Sequence, residues 1–515
     1  VVIDLDGIRE RIVPLAATPA DYSSLAAGSA DTFFYIETRA GAPPGQPGTL
    51  LQFQLAAQKP HPFLEGVRSY AVSADGKKIL YDAGANHWGV VPTEQPAKPG
   101  DGMLDVDQLE MLVDPKAEWA EIYRETWRTE RQFFYDPKMH GNDWKKTYDK
   151  YADFVPYVRH RSDLAYLIAT VGGELTVGHS YLEGEGDVPD TAHTAVGLLG
   201  ADITMDHGRF RIQHIYTAGN WNPRLRAPLS APGLKVAEGD YILEVNGRPV
   251  AAPMNFYSAF IGAAEKKTTL RVSHSPTADG SWTVSVTPVG DDEQLRTQAW
   301  IDDNRKLVDK LSGGRLAYVW LPNTSVAGYT AFNRYYFAQQ DKQGVVIDER
   351  YNQGGSVADY IVDELARQPL GYFARRAGKT ITEPMAGIWG PKVMIINESA
   401  GSGGDALPYL FHEAKIGPLV GTRTWGGLVG TLGDASPVDG GGITAPDLAF
   451  YDLKGKWAVE NEGISPDIEV ENTTAEAMRG HDTQLERAVA EALKLLEAHP
   501  VPRVPRPAPI DRVTQ

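Results

Sequence analysis

The chain has 515 residues, more than one hydrophobic core organises, so about three or four domains are expected. Its 67 acidic against 50 basic residues leave a net charge of -17, which argues against nucleic acid or anionic lipid as a partner. Cysteine is absent, which removes disulfides, thiol nucleophiles and thiolate metal sites and fits a reducing, cytoplasmic location; no run nears the roughly 18 apolar residues of a spanning helix, so no membrane partner is expected. The start, Val1-Val2-Ile3-Asp4-Leu5-Asp6, lacks a methionine and the basic-then-apolar order of a signal peptide, and it falls within a strand-like pattern. The polypeptide is therefore expected to be the C-terminal part of a longer one.

Residues 1–112 read as short strands with turn punctuation: Thr32 to Glu37, Thr49 to Gln54, then Ser69 to Ser73 and Lys78 to Asp82 around Ala74-Asp75-Gly76-Lys77. The last pair resembles the hairpin of a β-propeller blade, which makes this region the C-terminal part of a β-propeller; a small sandwich or meander is the alternative. From Pro115 apolar residues recur at helical spacing (Trp119, Ile122, Tyr123, Thr126, Trp127), giving a helical subdomain over 113–193. It ends in Gly172-Gly173-Glu174-Leu175-Thr176-Val177-Gly178-His179-Ser180-Tyr181, where glycines break the helix and leave His179 on a loop or strand end.

Residues 194–290 are β-rich, with a hairpin signal at Val245-Asn246-Gly247-Arg248. Leu234 to Gly247 resembles the signature of a PDZ domain, and Val196-Gly197-Leu198-Leu199-Gly200-Ala201-Asp202-Ile203 its carboxylate-binding loop and following strand. Such a groove captures a peptide end, unless the protein's own chain fills it. Residues 291–497 alternate apolar strands (Arg315 to Leu321, Gly344 to Asp348, Lys392 to Ile396, Pro418 to Gly421) with helices near 328–340, 356–368 and 404–414, so an α/β domain with both sheet faces covered is expected. The proline-rich stretch 498–515 reads as an extended arm, either clamping a neighbour or fraying. The fold class is multidomain α+β.

Ser402 lies in Asn397-Glu398-Ser399-Ala400-Gly401-Ser402-Gly403-Gly404-Asp405, between an apolar strand and a helix. A serine on such a glycine-rich turn is either a helix N-cap or a nucleophile set where backbone N–H groups stabilise developing negative charge. Asp348-Glu349-Arg350-Tyr351-Asn352-Gln353-Gly354-Gly355 also follows a buried strand, and its glycines can bring N–H groups against a carbonyl. Acyl transfer further needs a base and a group to orient it, for which His179 and an acid near the C-terminus are available. No metal-ligand spacing such as H-E-x-x-H occurs, and no metal or cofactor is expected; His87, His193 and His412 read as packing or surface residues, and the eleven tryptophans as mostly core.

The order of these segments, closed by Glu460-Asn461-Glu462-Gly463-Ile464-Ser465-Pro466-Asp467, resembles the catalytic half of the tricorn proteases and, more broadly, the C-terminal-processing peptidases. The resemblance implies an α/β crotonase-like catalytic domain in a serine peptidase that assembles as a homo-hexamer. It would shorten oligopeptides released by the proteasome or a similar protease, with downstream aminopeptidases as further partners. It implies Ser402 as nucleophile, His179 as general base, Glu460 as the supporting acid, and the amides of Gly403 and of Gly354 or Gly355 as the oxyanion hole. Tricorn proteases place a linking serine directly before the histidine, where this chain has Gly178, with Thr176 close by as a possible support. Relatives with a Ser-Lys dyad need a lysine about two dozen residues after the serine; Lys415 comes too early, which favours the histidine mechanism. An acidic residue of the α/β domain gives tricorn proteases basic selectivity; no equivalent is identified here, where Tyr372-Phe373-Ala374 lies in that region, which opens apolar selectivity instead. The alternatives are a peptide-binding assembly protein without catalysis and a processing protease acting on protein C-termini.

Overall fold

The computed structural model describes the chain except residues 1–3, 10, 12–18, 42–44, 185, 187–192, 218–224, 432–433, 502–503, 511 and 513–515. It folds as two compact units, Val1–Asp114 and Pro115–Gln515.

In the first unit Asp21–Ala27, Thr32–Thr38, Gly48–Gln54 and Lys59–Val67 pair in order as an antiparallel meander, and Ser69–Val72, Lys78–Asp82 and Trp88–Pro92 form a second antiparallel sheet. Phe34, Ile36, Leu50, Phe63, Ile79 and Tyr81 are buried in one core, because alternate positions of each strand face the same side. Among the described residues these are two sheets of four and three strands, which do not by themselves establish a propeller.

The second unit opens with helices Pro115–Phe133, Trp144–Ala152 and Arg161–Gly173, whose buried Ile122, Tyr123, Trp144, Leu164, Ile168 and Val171 form one core. Next comes an antiparallel sheet ordered Trp282–Val286, Thr268–Ser273, Tyr241–Val245, Arg209–Ile215, Ala201–Asp206. The hairpin expected at 245–248 is present: Val245 pairs Arg248 across Asn246 and Gly247, both at positive φ. At the expected carboxylate loop the protein's own chain takes up donors and acceptors. The N–H of Gly197 is committed to Phe260 O and that of Leu198 to Val289 O, while Arg296, beyond the domain, donates to Ala201 O and Asp202 on the edge strand. The protein's own chain therefore uses two of the loop amides and the start of the groove strand.

The α/β part is a five-stranded parallel sheet ordered Leu316–Trp320, Gly344–Asp348, Lys392–Ile396, Leu419–Gly421, Ile468–Glu469. Ala317 and Val319 face a layer of helices Val326–Ala338, Ala358–Ala366 and Gly403–Glu413, while Leu316 and Tyr318 face helices Glu293–Ser312 and Thr483–Ala498. Both faces are covered, which is why the strands read as unbroken apolar runs. The described residues beyond Ala498 carry no helix or strand.

Arg350 ties the loop after Gly344–Asp348 to the last helix. Only 1% exposed, it donates to both Asp348 oxygens (2.9 and 2.6 Å) and both Asp482 oxygens (3.0 and 2.9 Å). Arg350→Leu leaves two carboxylates without their cation in a dry site, which costs about 3–5 kcal/mol. A fall in the urea midpoint at unchanged slope checks this; an unchanged midpoint refutes it.

Candidate active site

Ligands of open parallel sheets bind beyond the carboxyl ends of the strands. Three loops meet there. Gly344–Asp348 lies between Leu316–Trp320 and Lys392–Ile396, so the turn 349–355 is set beside the turn 397–402, and Leu419–Gly421 brings 422–427 against the latter, where the Trp425 N–H donates to Ala400 O at 2.9 Å.

Ser402 occupies the N-cap position of helix Gly403–Glu413, but at φ 58°, ψ -116° instead of the extended backbone of an ordinary cap. Such a conformation costs about 1–3 kcal/mol and persists only where its surroundings enforce it. Asp405 does so. Fully buried, its carboxylate accepts the Ser402 N–H (2.9 Å), the N–H groups of Gly426 (2.8 Å) and Gly427 (3.0 Å), and the Thr424 hydroxyl. Burial raises the Asp405 pKa, and these donors oppose the rise. Glu349, also fully buried, is pushed well above the usual carboxylate range by burial and then by the Asp405 charge.

The glycines follow from the closeness of the loops. A Cβ on Gly354 would lie 2.8 Å from Ser402 Cβ, and one on Gly403 would lie 2.0 Å from Thr324 Oγ1, 2.3 Å from Gly355 O and 2.7 Å from Gly355 N. The Gly354 N–H is spent on Asn352 Oδ1 (2.9 Å). Among the described residues, the N–H groups of Gly355 and Gly403 have no acceptor, the latter because it opens a helix. Two free donors thus stand next to Ser402, with the positive end of a helix behind them.

His179 arrives from the helical subdomain on a loop pinned at several points. Glu460 Oε1 accepts the N–H of Gly178 (2.8 Å), and Oε2 those of Leu428 (2.7 Å) and Val429 (2.9 Å). Thr444 donates its hydroxyl to His179 O and accepts the Tyr181 N–H, both at 2.9 Å. Ser180 donates to buried Glu130, whose carboxyl burial lifts to about 7. The imidazole stands 5.7 Å from the Trp425 ring, and Trp425 also packs on Gly401, the residue before Ser402. His179 and Ser402 are not hydrogen-bonded to each other, and His179 Nδ1, buried, has no hydrogen-bond partner among the described residues. Burial lowers the His179 pKa, against the opposing charges of Glu460 and Asp405.

Three family descriptions match this chain: the tricorn protease C1 domain over 115–173, the tricorn protease PDZ domain over 197–291, and peptidase family S41 over 315–470. The chain is 34% identical to tricorn protease homolog 1 of Streptomyces coelicolor, over 98% of this chain and 48% of that protein. It is 29% identical to the tricorn protease of Thermoplasma volcanium, over 97% of this chain and 48% of that protein. The chain belongs to the tricorn protease family. A crystal structure of the tricorn protease superposes with a TM-score of 0.86 at 26% identity, covering 94% of this chain and 47% of that one. The chain spans about half the length of the curated relatives it matches.

Ser402, Gly403, Gly354 and Gly355 lie together at the ends of the parallel strands, and Glu460 reaches the histidine loop through the Gly178 amide. Thr176 does not join them: it is exposed, and its carbonyl accepts Asn461 Nδ2 at 2.7 Å. Sequence reasoning passed over Trp425, grouped with core tryptophans but 48% exposed, and the supports Asn352, Thr444 and Glu130. Asp405 was visible as the acid closing the serine motif, three residues after Ser402, at the spacing by which a helix's first turn returns to its cap.

Proposed function

We propose that the chain is the catalytic part of a serine peptidase that hydrolyses short oligopeptides through an acyl-enzyme. Ser402 Oγ attacks the peptide carbonyl carbon while His179 takes its proton; the C–N bond breaks as His179 passes that proton to the leaving amine. Water, activated by the same histidine, then frees the acid and restores the serine. Glu460 supports the histidine loop, and the amides of Gly403 and Gly355 hold the oxyanion, in preference to Gly354, whose N–H is taken. The observation carrying this reading is the pair of free amides beside a serine held at φ 58°. The same reading takes residues 1–112 as the end of a β-propeller, the assembly as a cytoplasmic homo-hexamer, and the substrates as products of the proteasome or a similar protease, passed on to aminopeptidases.

Intact mass after treatment with a fluorophosphonate tests the reading. A single adduct on the parent protein, absent from Ser402→Ala and His179→Ala, is expected; no adduct on the parent favours a peptide-binding protein without catalysis.

The base must be neutral to accept a proton, so kcat/KM rises with pH through the His179 pKa. Since burial lowers that pKa, the acid limb is expected below pH 6.5. A Cβ added at Gly178 would lie 3.7 Å from Glu460 Oε1 and 3.2 Å from Trp425 Cη2, so the Gly178→Ser hydroxyl comes within hydrogen-bonding reach of Glu460 once Trp425 yields slightly. A bond to a charged group is worth about 1.5–3 kcal/mol, so turnover is expected to rise about tenfold. A hydroxyl tied to a carboxylate also favours the imidazolium, which moves the acid limb to higher pH. A pH-rate profile checks both, and an unmoved limb with unchanged turnover refutes the link.

A further inference from the structure

A cavity of about 670 Å³ opens beside the turn that carries Gly354 and Gly355. Its walls include Glu293 and Trp300 of helix Glu293–Ser312, Trp320 and Pro322 at the end of the first parallel strand, and Tyr351 and Gln353 of the turn. The lining is fixed. Gln353 N–H donates to Pro322 O (3.0 Å), Trp320 Nε1–H donates to Arg350 O (3.1 Å), and the two indoles meet edge to face at 5.6 Å. Tyr351 is 48% exposed, and both indoles are half-buried, so three aromatic surfaces face one hollow of the size that takes a small-molecule side chain.

The cavity adjoins the chemistry through the chain itself. Gln353 precedes Gly354, where an added Cβ would lie 2.8 Å from Ser402 Cβ. A peptide carbonyl held at Ser402 therefore leaves its neighbouring residues, about 3.5 Å apart along an extended chain, within reach of the hollow. We propose that this cavity is a substrate subsite that selects a large, neutral, aromatic side chain close to the scissile bond, an inference that rests on the peptidase reading above. Charge narrows the choice. Arg350 already faces Trp300 with its guanidinium 5.8 Å from the ring, and Arg296 stands in the wall, tied to Asp292 and Asp202, so a further cation is disfavoured. An acidic side chain would meet Glu293. An aromatic ring instead covers apolar surface and stacks edge to face with the indoles.

The test separates the subsite from the catalysis. Tetrapeptides carrying Phe, Lys, Glu or Gly at each position in turn are titrated calorimetrically into the full-length Ser402→Ala protein, while fluorophosphonate labelling of the parent reports the nucleophile. At one position Phe is expected to bind about tenfold or more tighter than Gly, as burial of one aromatic side chain allows. That preference should vanish in Ser402→Ala/Trp300→Ala and weaken in Ser402→Ala/Tyr351→Ala, where the lost ring is a surface one, with preferences at other positions retained. Equal binding of Phe and Gly at every position, preference for Lys, no binding of any peptide, or a Phe preference that survives both ring deletions would overturn the subsite. A Phe preference without labelling overturns the peptidase reading and leaves only an aromatic-selective peptide site; labelling without the preference overturns the subsite and leaves the peptidase reading.

Discussion

Replacing Ser402 by alanine is expected to lower hydrolysis of short peptides by about ten-thousand- to million-fold, the loss found when a residue acting as part of one catalytic unit is removed. His179→Ala should cost about as much. The double variant should be scarcely worse than either, because a nucleophile without its base and a base without its nucleophile fail at the same step. On the proposed mechanism the residual rate would belong to the Gly355 and Gly403 amides and to binding, and single-turnover kinetics with a fluorogenic peptide measures it. Additive losses in the double variant would show that the two side chains act in separate steps, which the proposed mechanism does not allow.

Gly403→Ala is the second large effect, and two opposing terms decide its sign. Alanine favours a helix over glycine by about 1 kcal/mol, so on propensity alone the first position of Gly403–Glu413 would gain. The new Cβ, however, would lie 2.3 Å from Gly355 O and 2.0 Å from Thr324 Oγ1. Gly355 O is backbone, and Thr324 is buried with its main chain bonded to Gly354 O and Val357 N, so no side-chain rotation relieves the contact. Overpacking of this kind costs about 1–3 kcal/mol, and here it forces apart the loops that hold the two free amides. We expect a loss of at least about a hundredfold in kcat, the effect of removing one oxyanion donor, together with weakened fluorophosphonate labelling although Ser402 and His179 remain. Normal kinetics in Gly403→Ala would remove its amide from the mechanism.

The sheet of the α/β part was legible because its parallel strands are buried on both faces: Gly344–Asp348 and Lys392–Ile396 have the bounds their apolar runs indicate. Helix Glu293–Ser312 escaped notice because only Leu295, Asn304, Val308 and Ser312 are buried on it, too few apolar positions to mark a helical stripe. The strands Asp21–Ala27 and Lys59–Val67 were missed for a related reason, since the first is almost wholly exposed and the second carries two prolines. At the site, Ser402 and the paired glycines announce themselves by local chemistry. Glu460 does not, because its carboxylate acts on Gly178 from the far end of the unit, and only a resemblance could join the two. The division of labour between Gly354 and Gly355 depended on an acceptor, Asn352 Oδ1, whose orientation no spacing reveals.

The histidine loop owes its place to acceptors and donors that lie late in the chain: Glu460 and Thr444 pin the backbone at Gly178, His179 and Tyr181. During synthesis, the segment bearing His179 leaves the ribosome long before these partners exist. On the proposed mechanism, a nascent or C-terminally truncated chain would carry both Ser402 and His179 yet be unable to cut, and competence would arrive only when the last strand and its preceding loop close over the helices. The order of residues along the chain would thus delay proteolysis until the fold is nearly complete, a safeguard that requires no propeptide.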